Sequence, residues 1–501
     1  VAQSIAGTNL ATSWAASAQT VSFAVTVDWA RADSWADETA YVLSVQCETS
    51  IYDRMTGLPA LGETMPARAT IRLKNDTNRF SPGKGTIAAI ADGIYRVPVR
   101  IAAGYVDATN GAEVLRQFTG EIESARETET AGQKVVVCEC VDAGVALLQY
   151  KYTSQLATDQ RADEFLATLL TAASITGPTL ERGFVALPYC WTDTENLWSE
   201  IVKIAGAEGG MVFFGKDGTF NFWRLTHFLE DSDSTTSQAT LDRGNAYYLD
   251  DTISWRDCYT GVNVEWIPRE VGALSVLYQA HEAIAVRPGQ TVTHDALYQY
   301  PATEVVTPVA GTDYQAVSAG MKDLSADLTV TFTGYAQRAT LTFANGNAYH
   351  TIYVLDLQVR GRPLEAEEAQ SIQRDTTLSP AKVPGVKVFP VTGNPYLQTL
   401  GQAHLLAGYL RDRLQYPRRL IRWEGPACPW LEPGDRVRID NADAGISTLY
   451  CYVLNVAQTL SPTGYRQALD CLPVANVFAY SDYLRLGTSA WANSGSHKVG
   501  Y

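Results

Sequence analysis

Six histidines, at positions 227, 281, 294, 350, 404 and 497, are the side chains whose ordinary titration lies nearest neutrality. His281 and His294 each adjoin an acid, Glu282 and Asp295, and a β-rich region could make them neighbours. A metal or hydrolytic pair needs a third ligand placed by the fold, and none stands out. These two are expected as exposed strand or loop residues, and His404 as a packed or surface residue of a helix. Asp231 with Asp233, and Asp250 with Asp251, offer hard oxygens for Ca²⁺ but lack the spacing of a calcium loop, so they are expected as solvated acids. Cys138 and Cys140 would share one face of a strand, with no second pair to complete a zinc site. The eight cysteines are expected to be small buried residues, mostly reduced. There is no His-Glu-x-x-His helix and no Gly-x-Ser-x-Gly elbow. Gly83-x-Gly85 before Ala88 has a faint look of a dinucleotide loop, but it follows Pro82 and not a strand, and a turn is expected there. No catalytic residue, metal or cofactor is therefore expected.

Aromatic and arginine side chains offer recognition chemistry instead. The 11 Trp and 26 Tyr could stack on sugar faces, but such rings more often fill cores and subunit interfaces, which is the preferred reading. Trp191 and Trp198 look like core. Arg96, Arg100, Arg436 and Arg438 alternate outward along two strands. They could pair with acids of a neighbouring subunit, or form an ordinary solvated face.

The elements that must position these residues are mostly strands. Val21, Phe23, Val25 and Val27 alternate with polar or small residues, as do Ala67, Ala69, Ile71 and Leu73, and Val97, Val99 and Ile101. Further strands are expected at 41–52, 115–124 and 134–141. Gly, Pro and Asp separate the six, which predicts a closed antiparallel barrel or a sandwich. Helical spacing begins after Asp159, an expected N-cap, and again from Thr192, with Glu195 completing a capping box and Gly206 ending the run. Met211–Phe214 and Phe220–Trp223 predict a hairpin across Lys216-Asp217-Gly218. Residues 230–238 read as an acidic loop. Another hairpin is expected between Ala339–Phe343 and Tyr349–Val359, around Asn345-Gly346-Asn347. A long helix is expected from Tyr396 to Tyr416, ended by Pro417, and a last hairpin around Ser461-Pro462-Thr463-Gly464.

This order gives a mainly β chain with smaller α/β parts. The expected divisions are an arm at 1–20, a first barrel at 21–150, a small α/β domain at 151–250 and an inserted β-sandwich at 251–375. A linker with the long helix at 376–417, a second barrel at 418–480 and a tail at 481–501 follow. The arm reads as a flexible lead-in. Length agrees with several domains, at roughly one per ~150 residues. Hydrophobic residues make up 46% and charged residues 19%, enough core material for a folded protein. No stretch approaches the ~20 apolar residues of a membrane helix, and no signal peptide is visible. The formal charge of −15 argues against general duplex-DNA binding and permits a surface that DNA slides past.

Two segments echo one another. Gly93 precedes Arg96-Val97-Pro98-Val99-Arg100-Ile101, and Gly434 precedes Arg436-Val437-Arg438-Ile439. If the echo reflects two related barrels, three chains would present six of them, matching a sixfold tube. Chance similarity of two strands is the alternative.

The stretch Ala69 to Pro82 resembles a phrase of minor tail and tail-hub proteins of long-tailed phages, in which a strand ends in Leu-x-Asn and Arg-Phe-Ser-Pro follows. Here those residues are Leu73, Asn75, Arg79, Phe80, Ser81 and Pro82. Tyr95 to Ile101, Phe118-Thr119-Gly120-Glu121-Ile122, Val135 to Asp142, the helix-plus-hairpin at 192–225 and Leu431-Glu432-Pro433-Gly434-Asp435 fit the same family. The resemblance implies two tail-tube-like barrels per chain and a homotrimeric, pseudo-sixfold hub at the tail tip of a virion. Its partners would be a distal tail or tube ring, the tape-measure protein and tip or fibre proteins, with DNA passing through and no membrane insertion. Alternatives are a host-surface carbohydrate-binding tail protein, a tail-associated cell-wall hydrolase, or the hub of a phage-like injection device.

Overall fold

The computed structural model describes residues 3–16, 19–51, 64, 66–81, 85–87, 96–107, 109–130, 132–194, 196–254, 258–376, 385–474, 483–484 and 498–499. Expectations for Pro82, Gly83, Gly93, Tyr95, Glu195 and most of the 481–501 tail lie outside the described residues. Strands dominate, and one sheet of thirteen strands runs through both ends of the chain.

Seven of these strands form the first barrel: β1 (Val21–Val27), β2 (Ala36–Asp37), β3 (Val42–Ser50), β4 (Arg68–Lys74), β5 (Val97–Asp107), β6 (Gly111–Thr130) and β7 (Gln133–Val141). Their alternation is that read from the sequence; β4, for example, buries Ala69, Ile71 and Leu73 and exposes Arg68, Arg72 and Lys74. Pairing runs β3-β4-β7-β6-β5-β1-β2. The path then returns to its start, because β2 and β3 are one chain bent at Thr39–Tyr41. Its first half pairs with β1 and its second with β4.

The second barrel comprises β8 (Ser237–Asp242), β9 (Tyr248–Ser254), β10 (Arg418–Pro426), β11 (Arg436–Asn441), β12 (Ile446–Ser461) and β13 (Gly464–Pro473). Here too one bent chain closes the path, since β8 pairs with β11 and β9 with β10. Residues 237–254 were expected in the α/β domain and the insertion; their backbone groups are instead paired with strands some 180 residues on, a partnership invisible to local periodicity.

The two barrels have the same wiring. Ile101 faces Phe118 as Ile439 faces Leu449, and Arg100 faces Thr119 as Arg438 faces Tyr450. Each long strand bulges at the same place: the register slips between Ile122 and Ser124 opposite Cys140 and Glu139, and between Val453 and Asn455 opposite Cys471 and Asp470. Ala69 faces Cys140 as Ile421 faces Cys471, and Cys47 faces Ala69 as Asp251 faces Ile421. Hence β3, β4, β5, β6 and β7 correspond to β9, β10, β11, β12 and β13. Among the described residues the second path has no counterpart of β1. Five strands cannot alternate in direction around a ring, so one pair must be parallel, and that pair is β8 with β11. One hydrophobic core spans both barrels, from Val25 and Phe118 to Trp423 and Leu469.

The arm is not a loose lead-in over its described part. Leu10 and Trp14, on α1 (Leu10–Ala15), are buried in that core, and Trp14 Nε1 donates to Pro426 O at 3.2 Å.

Between the barrels lies the small α/β unit. Its helices are α2 (Ala162–Ala172) and α3 (Leu197–Ala207), beside the expected aromatic hairpin Met211–Phe214 and Phe220–Trp223. Both helices start later than expected. Asp159 takes a positive φ of 51° in a strand, and Asn196 caps α3 by accepting Ser199 N–H. The expected loop at 230–238 contains a short helix, Ser232–Thr235, because the Asp231 side chain caps it.

In the insertion, the Arg338–Asn345 and Ile352–Leu355 strands do not form the expected hairpin. The first pairs with Thr291–Leu297 and Leu328–Gly334, the second with Ile284–Val286 and Gln315–Val317. The turn passes the chain between layers, held by Asn345 Nδ2 donating to Val286 O and His350 O. The expected linker contributes a strand, Val388–Val391, parallel to Gly261–Trp266. Against that sheet packs α4 (Leu400–Leu414), capped by Thr399 and shorter than expected. Among the described residues no helix is long and apolar enough to cross a membrane.

Candidate functional site

The phrase at the end of β4 is a fastening. Asn75 is fully buried; its Oδ1 accepts Phe80 N–H at 2.9 Å, and its Nδ2 donates to Ser81 Oγ (3.0 Å) and Glu127 Oε1 (2.9 Å). Ser81 Oγ donates to the same carboxylate at 2.9 Å, tying the turn to β6. Arg79 crosses to the bend between β2 and β3. Its Nε and Nη2 donate to Glu38 Oε2 (3.0 Å) and Oε1 (2.7 Å). Glu38 is fully buried, and Trp29 Nε1 completes its partners at 2.9 Å. A bidentate arginine offsets the desolvation of a buried carboxylate. Phe80 packs between Trp29 and Tyr41, and the Arg79 guanidinium lies 5.2 Å from the Tyr41 ring centre. Leu73 sits in the core beneath. Five of the six phrase residues thus meet at the point where the first barrel closes.

A second constellation joins the barrels. The Lys216-Asp217-Gly218 hairpin tip inserts Lys216, which is 3% exposed, between them. Its Nζ donates to Gln117 Oε1 of β6 at 2.8 Å and to Leu431 O at 2.7 Å. Gln458 of β12 donates to the same Gln117 oxygen at 2.9 Å. Burial pulls the Lys216 ammonium below the usual lysine range, while Glu432 and Asp435 favour its charge. Gly434 takes a φ of +98°, and a Cβ there would sit 2.3 Å from the Trp223 ring, which is why the loop entering β11 needs glycine.

The outward arginines are engaged within their own chain. Arg96 meets Glu121 at 2.6 Å, Arg100 lies 3.7 Å over the Trp35 ring, Arg436 donates to Thr235 O at 2.7 Å and Arg438 meets Asp440 at 2.5 Å. Arg100 falls on β5, with Arg96 just before it, and Arg436 and Arg438 on the equivalent β11; the two pairs are not brought together.

Groups suited to chemistry are muted. Burial pushes the thiols of Cys47, Cys138, Cys190 and Cys451 up to about 12, which suppresses the nucleophilic thiolate. His227 stacks on Trp223 at 3.8 Å and meets Glu181 at 2.6 Å; His294 bonds Tyr278 at 2.7 Å, and His281 is exposed. Among the described residues no cluster of His, Cys, Asp or Glu could hold a metal. Burial raises Asp142 and Glu208 to about 7; Asp142 accepts Ala67 and Gly144 N–H groups, and Glu208 accepts that of Val185. A cleft of about 820 Å³, including Lys151, Asp193, Asp295 and Arg338, lies between the α/β unit and the insertion.

Sequence reading missed Glu38, Gln117 and Lys216. Only Lys216 carried a signal, its place in a strong turn, and that signal concerns the backbone and not the side chain's destination.

No protein-family model and no curated protein matches the chain. Among solved structures it is similar to the 43 kDa tail protein of prophage MuSo2 from Shewanella oneidensis, with 7% identity and a TM-score of 0.50 over 90% of this chain and 98% of that one. The tail protein from Neisseria meningitidis MC58 aligns at 11% identity and a TM-score of 0.49, over 90% and 96%. Prophage tail protein gp18 from Listeria monocytogenes EGD-e aligns at 10% and 0.39, over 89% and 94%. The chain therefore has a fold seen in a prophage tail protein.

Proposed function

We propose that this chain is a structural tail-tip hub: three copies form a ring of six barrels that joins a tail tube to a tip or fibre assembly. The observation that carries the reading is the duplicated barrel, with matched registers and bulges in both halves. A threefold ring of such chains offers six similar walls to a sixfold tube. The fold shared with a prophage tail protein supports a place in the virion tail. DNA and the tape-measure protein would pass through the ring, whose net charge of −15 per chain disfavours phosphate binding. The chain acts by geometry and not by catalysis, and the outward arginines remain candidates for contacts with neighbouring rings.

Light scattering on the purified protein, followed by imaging down the particle axis, tests this. The expected result is three times the 54.6 kDa chain mass and a six-lobed annulus. A monomer at every concentration overturns it.

A further inference from the structure

Inside one chain the barrels are joined edge to edge. Val45–Ser50 of β3 run antiparallel to Leu460–Asn455 of β12, so the sheet is continuous across the junction. The inner-face residues there are Val45, Cys47 and Thr49 against Leu460, Gln458 and Val456, all buried.

The equivalent edges lack this covering. By the matched registers, β9 stands where β3 does and β6 where β12 does. In the thirteen-strand order β9 is a terminal strand, pairing among the described residues only with β10. Beyond Ile122, β6 pairs only with β7 among the described residues. The β9 edge carries Tyr248 at 51% and Ile253 at 64% exposure. An unpaired strand edge is a template for another chain.

We infer that β9 of one copy pairs antiparallel with the far half of β6 of the next copy, repeating the β3–β12 junction around the ring. Transposing the internal register sets Leu249, Asp250, Asp251, Thr252 and Ile253 opposite Glu129, Thr128, Glu127, Arg126 and Ala125. Inner faces match: Leu249, Asp251 and Ile253 share the parity of Val45, Cys47 and Thr49. The facing carboxylates arrive already engaged, Asp251 by Arg419 at 2.6 Å and Glu127 by Asn75 and Ser81. This edge is more polar than the internal one, as suits a surface that meets water before assembly. The contact is head-to-tail, and such contacts make closed rings when their rotation closes. The inference rests on the ring proposed above and names its interface.

The test is a chain carrying Ala125→Cys and Ile253→Cys under mild oxidation, all eight natural cysteines being buried. Covalent dimers and trimers are expected on non-reducing gels, with the ladder stopping at three. The Ala125→Cys/Thr252→Cys control points one thiol to the opposite face and should cross-link at least about ten-fold less. Particles of trimeric mass without the cross-link overturn this interface and leave the hub reading standing; a wild-type monomer overturns both. Should the double variant misfold by circular dichroism, a mixture of the two single variants, each checked for folding, must yield dimers only, and their absence overturns the inference.

Discussion

The two barrels close by the same device under different restraint. In the first, the bend between β2 and β3 is locked by a buried carboxylate, a bidentate arginine and three aromatic rings. In the second, the bend at Arg243–Asn245 is held by an exposed capping box, Asp242 and Asn245 exchanging side-chain bonds at 3.1 and 3.0 Å. The first also has β1, while the second closes directly on β11. A duplicated wall thus keeps its pairing while its fastening diverges. The Leu73–Ser81 phrase belongs to the first fastening, while the echo of Arg96–Ile101 in Arg436–Ile439 lies elsewhere, on the corresponding walls β5 and β11.

The largest expected effect is at the joint serving both halves. Lys216→Ala takes the buried ammonium from Gln117 Oε1 and Leu431 O and removes the cation nearest the buried Glu432 and Asp435, and should lower the unfolding free energy by about 3–5 kcal/mol in urea titration. A loss below about 1 kcal/mol would mean the barrels are held together without it. Next comes the contrast of the bends. Arg79→Ala leaves Glu38 buried with a single indole donor; because Arg79 is partly exposed, the cost should be about 2–3 kcal/mol. Asp242→Ala at the second bend should cost about 1 kcal/mol, the value of an N-cap. Equal losses would refute unequal fastening.

The smallest effect is the share of the pH dependence that Asp142 gives to the first half. Asp142, raised to about 7, corresponds in the matched register to Pro473 and so has no titrating twin. A carboxyl raised in the fold binds its proton more tightly than in the unfolded chain. Its contribution is present below the unfolded value and is lost as pH rises through about 7. Melting temperature should therefore fall between about pH 4 and pH 7, and Asp142→Asn should flatten part of that slope. Glu208, with the buried Glu432 and Asp435, supplies the same trend and should keep it in the variant. An unchanged slope would remove Asp142 from the account.

Much of the fold was legible because a strand states its buried face through alternation: Ala69, Ile71 and Leu73 in β4 needed no partner to be read. The aromatic hairpin and the last hairpin were legible for a similar reason, their turns and strands being adjacent in the chain. Alternation does not say which strand lies alongside. That is why 237–254 was assigned to the wrong neighbours, and why the Asn345 turn suggested a hairpin where the chain changes layers. The phrase around Asn75 was visible as a pattern, but its purpose depends on Glu38 and Glu127, which lie 37 and 52 residues away. Local order thus set the elements and their faces. Ring closure, the matching of the two halves and the burial of Lys216 were decided only in three dimensions, because edge pairing and desolvation act between residues that the chain keeps far apart.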